Sequence, residues 1–270
     1  MTTSISDSNN TSEVTYLQHK NNLFAAERNV ETIKPFISLN VISAQRLQGE
    51  AALTPASGQA IITYVIAGEA AYSDSTGKQG RLQKDGWAWV IAGAGIWHSI
   101  APITRDYIAV QMCIALSPAL ENSPPQSAYL NPELNAPGND PARLLIGWHG
   151  KNRSHFAIPS QLNYLIVPLK AQQHWSYELP LNHQFAWVAV ASGCVTTSEG
   201  KMQPDSVRIF NRPTAKIDFH AQADSILVLG SSLEFDHDLV FHNSSVHTSS
   251  EALQIGCKGI SAAEKHYAFI

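Results

Sequence analysis

The chain has 270 residues, 44% of them hydrophobic and only 15% charged, with a formal net charge of −4. That length holds one large domain or two ordinary ones around a well-buried core, and the low charge density suits a β-rich protein. The acidic balance and the lack of a dense Lys/Arg cluster exclude the electrostatic footprint of a nucleic-acid or anionic-membrane binder.

The N-terminal "MTTSISDSNNTSE" is polar and has neither the basic nor the apolar region of a secretory signal, so residues 1–14 are expected to be a disordered tail. From about Pro35 strand-like runs dominate, beginning with "IITYVIAG", "EAAYSDS", "GWAWVIAG" and "DYIAVQMCIAL". A stretch with six prolines in 27 residues follows, "LSPALENSPPQSAYLNPELNAPGNDPA". Proline lacks a ladder donor and cannot sit in a central strand, so residues 118–141 are expected to link two domains, 15–117 and 142–270. The second half repeats the strand character in "RLLIGWHG", "LNYLIVPL", "AWVAVASG", "SVRIF", "AKIDFHA", "SILVLG" and "HDLVFHN". Short runs rich in Val, Ile and aromatics, separated by Gly, Asn, Asp and Ser, predict an all-β sandwich or barrel. Near the end, Thr248 lies three residues before Glu251, a capping box that predicts a short helix which Gly256 and Gly259 should weaken or end.

Cys113, Cys194 and Cys257 are far apart and none lies in a CxxC, so they read as small buried residues in a reducing compartment. No apolar run approaches the roughly 18 residues of a membrane span. A soluble, cytoplasmic protein is expected.

An internal repeat supports two copies of one β-module. "GRLQKDGWAWV" (Gly80 to Val90) aligns with "GKMQPDSVRIF" (Gly200 to Phe210), pairing Gly80/Gly200, Gln83/Gln203 and Asp85/Asp205. Upstream, "YVIAGEA" aligns with "VAVASGCV" and places Gly68 opposite Gly193.

The block "ITYVIAGEAAYSDSTGKQGRL", followed by "AGAGIWHS", resembles the core signature of pirin-like proteins. Pro55, Gly58, Thr63, Tyr64, Gly68, Glu69, Asp74, Ser75, Gly77, Gly80, Ala92, Gly93, Gly95, Ile96, His98 and Ser99 match it. The tail "LEFDHDLVFHNSSVHTSSEALQIG" is similar to the family's C-terminal return segment, so the resemblance spans roughly Pro35 to Gly259. It implies two tandem cupin barrels, double-stranded β-helix or jelly-roll modules, closed by a short C-terminal helix. It also implies an N-terminal site in which three histidines and a glutamate hold a metal, usually iron. Here the His-Pro-His triplet of that site is Thr54-Pro55-Ala56, the third histidine is His98, and the glutamate position is Ile100. Alanine and isoleucine donate no electron pair, threonine is a poor neutral ligand, and a mononuclear iron needs at least three protein ligands. The expectation is therefore a lost metal site and no metal cofactor.

No other cluster replaces it. His237, His242 and His247 recur at intervals of five, which on a strand alternates their faces, and Asp236 and Asp238 suit a solvated loop. His149 and His155 flank the turn-like "GKNRS", and His174 and His183 have no partner at ligand spacing. No Gly-x-Ser-x-Gly elbow, P-loop or dinucleotide-binding motif is present. His98 is left either as a group that orients a ligand, since imidazole both donates and accepts, or as a satisfied relic on a barrel strand. Trp87 and Trp89 share one face by strand alternation and suit core packing. The candidate pocket is His98, Thr54, Ala56, Ile100 and Tyr64, with no catalytic residue assigned. The expected function is binding of a small molecule or a protein partner rather than oxygenase chemistry. The alternative is a quercetin 2,3-dioxygenase-type oxidoreductase with metal ligands recruited from elsewhere.

Overall fold

The computed structural model describes residues 11–14, 22–25, 33–47, 52–130, 132, 140–154, 156, 161–204, 206–211 and 216–267. The first half forms β1 (Thr11–Val14), β2 (Asn22–Ala25), β3 (Phe36–Ser43), the single turn α1 (Ala44–Leu47), β4 (Ala52–Ala56) and β5 (Gln59–Ala67). It continues with β6 (Glu69–Asp74), β7 (Gln79–Gln83), β8 (Trp87–Ile91), β9 (Ile96–Pro102), β10 (Ile108–Ala115) and β11 (Gln126–Leu130). The second half begins with β12 (Arg143–Ile146), the hairpin of β13 (Trp148–His149) and β14 (Asn152–Arg153), β15 (Leu162–Leu169), β16 (His174–Glu178) and β17 (Phe185–Ser192). After these come β18 (Val195–Thr197), β19 (Gly200–Met202), β20 (Val207–Asn211), β21 (Lys216–Ala221) and β22 (Ser225–Ser232). The hairpin of β23 (Val240–His242) and β24 (Ser245–His247) and the helix α2 (Ser250–Tyr267) end the described chain.

The halves share one plan. In the first, the sheet β11-β8-β5-β10-β3-β2 accompanies the sheet β4-β9-β6-β7. In the second, β1-β20-β17-β22-β15-β12 accompanies β16-β21-β18-β19. The repeat in the sequence falls on equivalent elements, β7–β8 and β19–β20, and its turn glycines Gly68 and Gly193 both adopt positive φ, 71° and 82°. Asp205 lies outside the described residues.

Two strands stand outside the expected boundaries. Thr11–Val14, in the segment expected as a tail, pairs with Val207–Phe210 at the edge of the second barrel's sheet. Gln126–Leu130, in the segment expected as a linker, takes the equivalent edge of the first barrel by pairing with β8. Its own five residues contain no proline, and an edge position tolerates the prolines before it.

Strand alternation sorts the cores. On β5, Ile61 and Val65 face the first barrel's interior with Ala56, Ala70, Ala88, Val90, Ile96, Ile100 and Ala109. Ile62 and Tyr64 face outward, into a core shared by both barrels with Trp87, Trp89, Met112, Tyr164, Ile166, Trp187 and Ile209. The second barrel's interior is filled by its own side chains, among them Trp175, Tyr177, Val188, Phe210, Ile217 and Phe219.

The C-terminal helix is longer than expected and runs through both glycines for 18 residues. It packs on β9 and β24 of the first barrel, with Trp97 Nε1 donating to the Ile260 carbonyl at 3.0 Å. Close approach explains the glycines: a Cβ on Gly259 would sit 2.0 Å from the Ala94 carbonyl oxygen. The expected cap is displaced by one residue. Ser249 Oγ accepts from Ala252 N at 3.1 Å, because Thr248 is drawn to a buried carboxylate, donating from N and Oγ1 to Glu121 at 2.6 and 2.7 Å. No helix among the described residues is long and apolar enough to cross a membrane.

Candidate functional site

Register brings four of the five expected pocket residues together. Thr54 of β4 and Asp74 of β6 both pair with His98 of β9, forming one rung across three strands. Directly paired residues point to the same face, as do positions two apart, so Ala56 and Ile100 join that face. It is the interior face: Ala56 is fully buried, His98 is 6% exposed and Ile100 7%.

The second barrel shows what the same rungs look like when filled. Counting from the first rungs of the equivalent ladders, Ala70–Pro102 and Val195–Ala221, His98 corresponds to Ile217 and Ile100 to Phe219. Their partners on the neighbouring strand are Thr54 and Ala52 in the first barrel, against Tyr177 and Trp175 in the second. Beside His98 the first barrel thus has Thr54 where the second has the larger Tyr177.

Burial dominates the electrostatics of His98. It pushes the imidazole down to about 4, opposed by the charge of Asp74, and Nε2 is buried with no hydrogen-bond partner among the described residues. His98 is therefore a neutral imidazole at pH 7 with one ring nitrogen unused. Asp74 is buried too, yet sits below its ordinary value: burial raises it, and hydrogen bonds from Thr76, Ser127 and Tyr129 together lower it further. Thr76 N donates to Oδ1 at 2.8 Å, while Ser127 Oγ and Tyr129 OH each donate to Oδ2 at 2.7 Å. Tyr129 also stacks on Tyr72, with ring centroids 3.4 Å apart.

The Asp74 network was missed in the sequence because Ser127 and Tyr129 lie in the proline-rich segment. Their spacing of two was the available signal, since it puts both on one face of a strand.

Tyr64 is the exception among the expected residues. It lies on the outward face of β5, away from His98, and its hydroxyl donates to Asp85 Oδ1 at 2.7 Å while accepting from Arg143 Nη1. Burial, then the bond to Asp85, pushes the phenol well above its ordinary value. Trp87 and Trp89 are core residues as expected, but in the core between the barrels.

A second buried polar cluster joins distant parts of the chain. Ser57 Oγ lies 2.9 Å from His247 Nε2 and shares a 2.9 Å hydrogen bond with Ser245 Oγ. His247 Nδ1 lies 3.4 Å from Glu121 Oε2. The order serine, histidine, carboxylate is that of a hydrolase triad. Its serine is fully buried, however, and a Cβ on Gly256 would lie 2.4 Å from Ser57 Oγ, so helix α2 closes over the nucleophile. This cluster is a clasp holding the C-terminal return to the first barrel. His247 stands apart from His237, which packs edge-on to Phe235, and from His242, whose Nε2 contacts Asn243.

His149, His183, His174 and His220 have partners that the sequence did not reveal. His149 Nε2 lies 2.8 Å from Asp140 Oδ2, and His183 Nδ1 lies 2.7 Å from Ser231 Oγ. His174 and His220, paired across β16 and β21, stack with centroids 4.1 Å apart. His155 lies outside the described residues. Among the described residues no three His, Cys, Asp or Glu side chains converge as a metal-binding group.

Comparison with known proteins agrees with this architecture. Residues 17–114 match the family model described as Pirin. A curated Pseudomonas aeruginosa protein named "Putative quercetin 2,3-dioxygenase" is 25% identical over 248 residues, covering 86% of each chain. A solved quercetin 2,3-dioxygenase from Acinetobacter baumannii shares the fold with a TM-score of 0.78, at 18% identity over 90% of both chains. YhhW from Escherichia coli gives a TM-score of 0.62 at 18% identity, over 76% of this chain and 84% of its own. The fold is thus all-β, a bicupin of two tandem barrels with a C-terminal helix. The chain resembles pirin-like cupin proteins, over residues 17–114 by the family model and over 86% of its length in the Pseudomonas relative.

Proposed function

We propose that this pirin-like bicupin works without a metal and binds a small molecule in its first barrel, rather than acting as an oxygenase. The observation that carries the reading is the His98 rung. Thr54, Ala56, His98 and Ile100 converge on one interior face, so the failure to make an iron site is chemical and not geometric. One imidazole, one hydroxyl and two hydrocarbon side chains do not fit a mononuclear iron. The neighbouring acid does not repair the set, because Asp74 has both oxygens engaged by Thr76, Ser127 and Tyr129.

What stays on that face suits recognition of an uncharged or weakly polar ligand. A buried neutral imidazole with a free ring nitrogen can donate to or accept from a ligand, and its rung partner is Thr54 where the second barrel has the larger Tyr177. Nothing in this reading calls for nucleic acid or a membrane, and a cytoplasmic setting suits three free cysteines. The test is elemental analysis of protein purified without chelator or metal-affinity resin after growth with added iron. The reading expects less than about a tenth of an equivalent of any transition metal, where a functional site would hold close to one.

The quercetin 2,3-dioxygenase-type alternative is favoured by the name of the Pseudomonas relative. It requires oxygen uptake with quercetin that His98→Ala abolishes together with metal loading. Stoichiometric iron with turnover of quercetin would put it first.

A further inference from the structure

A cavity of about 300 Å³ lies at the seam between the barrels, away from the interior face that carries His98. Domain seams are common ligand sites, and this volume is at the lower end of small-molecule pockets. One wall comes from β5 and the β7–β8 turn of the first barrel, the other from β12, β15 and β22 of the second. Its apolar surface includes Ile166 and Leu169, both buried, with Ile66 and Ile226 half-buried beside them.

The polar groups carry one uncompensated positive charge. Arg143 Nη1 pairs with Asp85 Oδ1 at 2.5 Å, and Lys170 Nζ pairs with Asp224 Oδ2 at 2.9 Å. Lys84 is exposed at the mouth and has no ion pair among the described residues. Arg143 has a buried Nε with no hydrogen-bond partner among the described residues, although its Nη1 is shared by Asp85 and Tyr64. That Nε faces away from the cavity, but Arg143 lines it, and a carboxylate oxygen there would take a charge-assisted hydrogen bond from the part of the guanidinium that Asp85 and Tyr64 leave free.

We propose that this seam cavity binds a small monocarboxylate with an apolar body, its carboxylate held by Lys84 and Arg143 and its body against Ile166, Leu169 and Ile226. A single negative charge matches the single spare positive one. A dianion such as a phosphate monoester would also face the carboxylates of Asp85 and Asp224 at short range, which disfavours it. Tyr64 remains a neutral phenol there and acts as a fixed donor to Asp85, holding the Arg143 pair in place. This goes beyond the first-barrel reading by adding a separate ligand site, and it is independent of the metal question.

The test is calorimetric titration of the full chain at low ionic strength with 2-naphthoate, with 2-naphthalenemethanol as neutral isostere and naphthyl phosphate as dianion. Metal content is measured on the same sample. The expected result is saturable one-to-one binding of naphthoate, roughly tenfold tighter than the alcohol, the size of one charge-assisted contact. Lys84→Met should remove the preference for the acid, and Ile226→Trp, which fills the cavity, should remove binding of both. Lys84 is exposed, so its variant reports on binding and not on folding. No saturable binding of naphthoate up to about millimolar concentration, the weak limit of specific recognition, overturns the proposal. Binding that both variants retain also overturns it while leaving a first-barrel site standing, and tighter binding of the phosphate overturns the monoanion assignment. Stoichiometric iron in the same sample would defeat the metal-free reading alone.

Discussion

Ser57 and His247, 190 positions apart, meet with Oγ and Nε2 2.9 Å apart and with neither side chain exposed. Glu121 completes the set from the proline-rich segment, holding Thr248 by two hydrogen bonds and facing His247 Nδ1. Three distant parts of the chain are thereby fixed at one point, and the fixture is polar inside an apolar surround. Removing one partner leaves the others buried and unpaired. Glu121→Ala, which removes both charge-assisted hydrogen bonds from Thr248, is expected to cost about 3–5 kcal/mol in denaturant unfolding, against about 1–3 kcal/mol for Ser57→Ala. Equal and small losses from both would mean that the cluster is solvated and holds nothing.

The same clasp reverses a familiar rule for helices. Gly→Ala inside a helix normally stabilises by up to about 1 kcal/mol. At Gly256 the added Cβ would fall 2.3 Å from His247 Nε2, and at Gly259 it would fall 2.0 Å from the Ala94 carbonyl oxygen. Overpacking of that kind costs about 1–3 kcal/mol, so both Gly256→Ala and Gly259→Ala are expected to lower stability. Gly259→Ala should be the worse tolerated, because a backbone carbonyl cannot rotate aside. A rise in melting temperature in either variant would show that α2 does not lie this close to the barrel.

Much of this architecture was legible in the sequence, and the failures have physical causes. Alternation and turn glycines gave away the β-modules, and the Gly80 and Gly200 blocks landed on equivalent hairpins. Thr54, Ala56, His98 and Ile100 share a face because positions two apart on paired strands must do so. Tyr64 did not join them. β5 is covered on both sides, so every residue from Gln59 to Val65 is buried and alternation does not say which face is the barrel's. The clasp was invisible because no local pattern connects Ser57, Glu121 and His247. The helix outran its glycines because their cost is offset by close packing that only the folded chain displays.

Acid should expose the buried imidazole of His98. Its folded value is about 4, against 6.5 for the free side chain, because burial disfavours the charged form. Between those values the unfolded chain takes up a proton that the native state does not. Stability therefore falls as pH drops from about 6.5 to about 4, by up to about 3 kcal/mol from this residue. His183, also lowered to about 4 by burial, and His247 act in the same direction. His98→Gln is expected to reduce the slope of stability against pH in that window by about one proton, measured by denaturant titration at several pH values. An unchanged slope would show that His98 is already protonated, or already solvated, in the native protein.

The convergence on the interior face also predicts that the metal site can be rebuilt. Thr54→His, Ala56→His and Ile100→Glu together would put three imidazoles and a carboxylate on adjacent rungs around His98. The triple variant is expected to retain close to one equivalent of iron or nickel after dialysis, while the parent retains under about a tenth. To exclude stray nickel on the paired imidazoles of His174 and His220, both proteins should carry His174→Ala. Loading of the triple variant alone would show that side-chain replacement on an intact scaffold accounts for the lost site. Failure of both to load would mean that the backbone of β4 and β9 has moved as well. Loading of the parent would return His98 to metal chemistry and remove the basis of the metal-free reading.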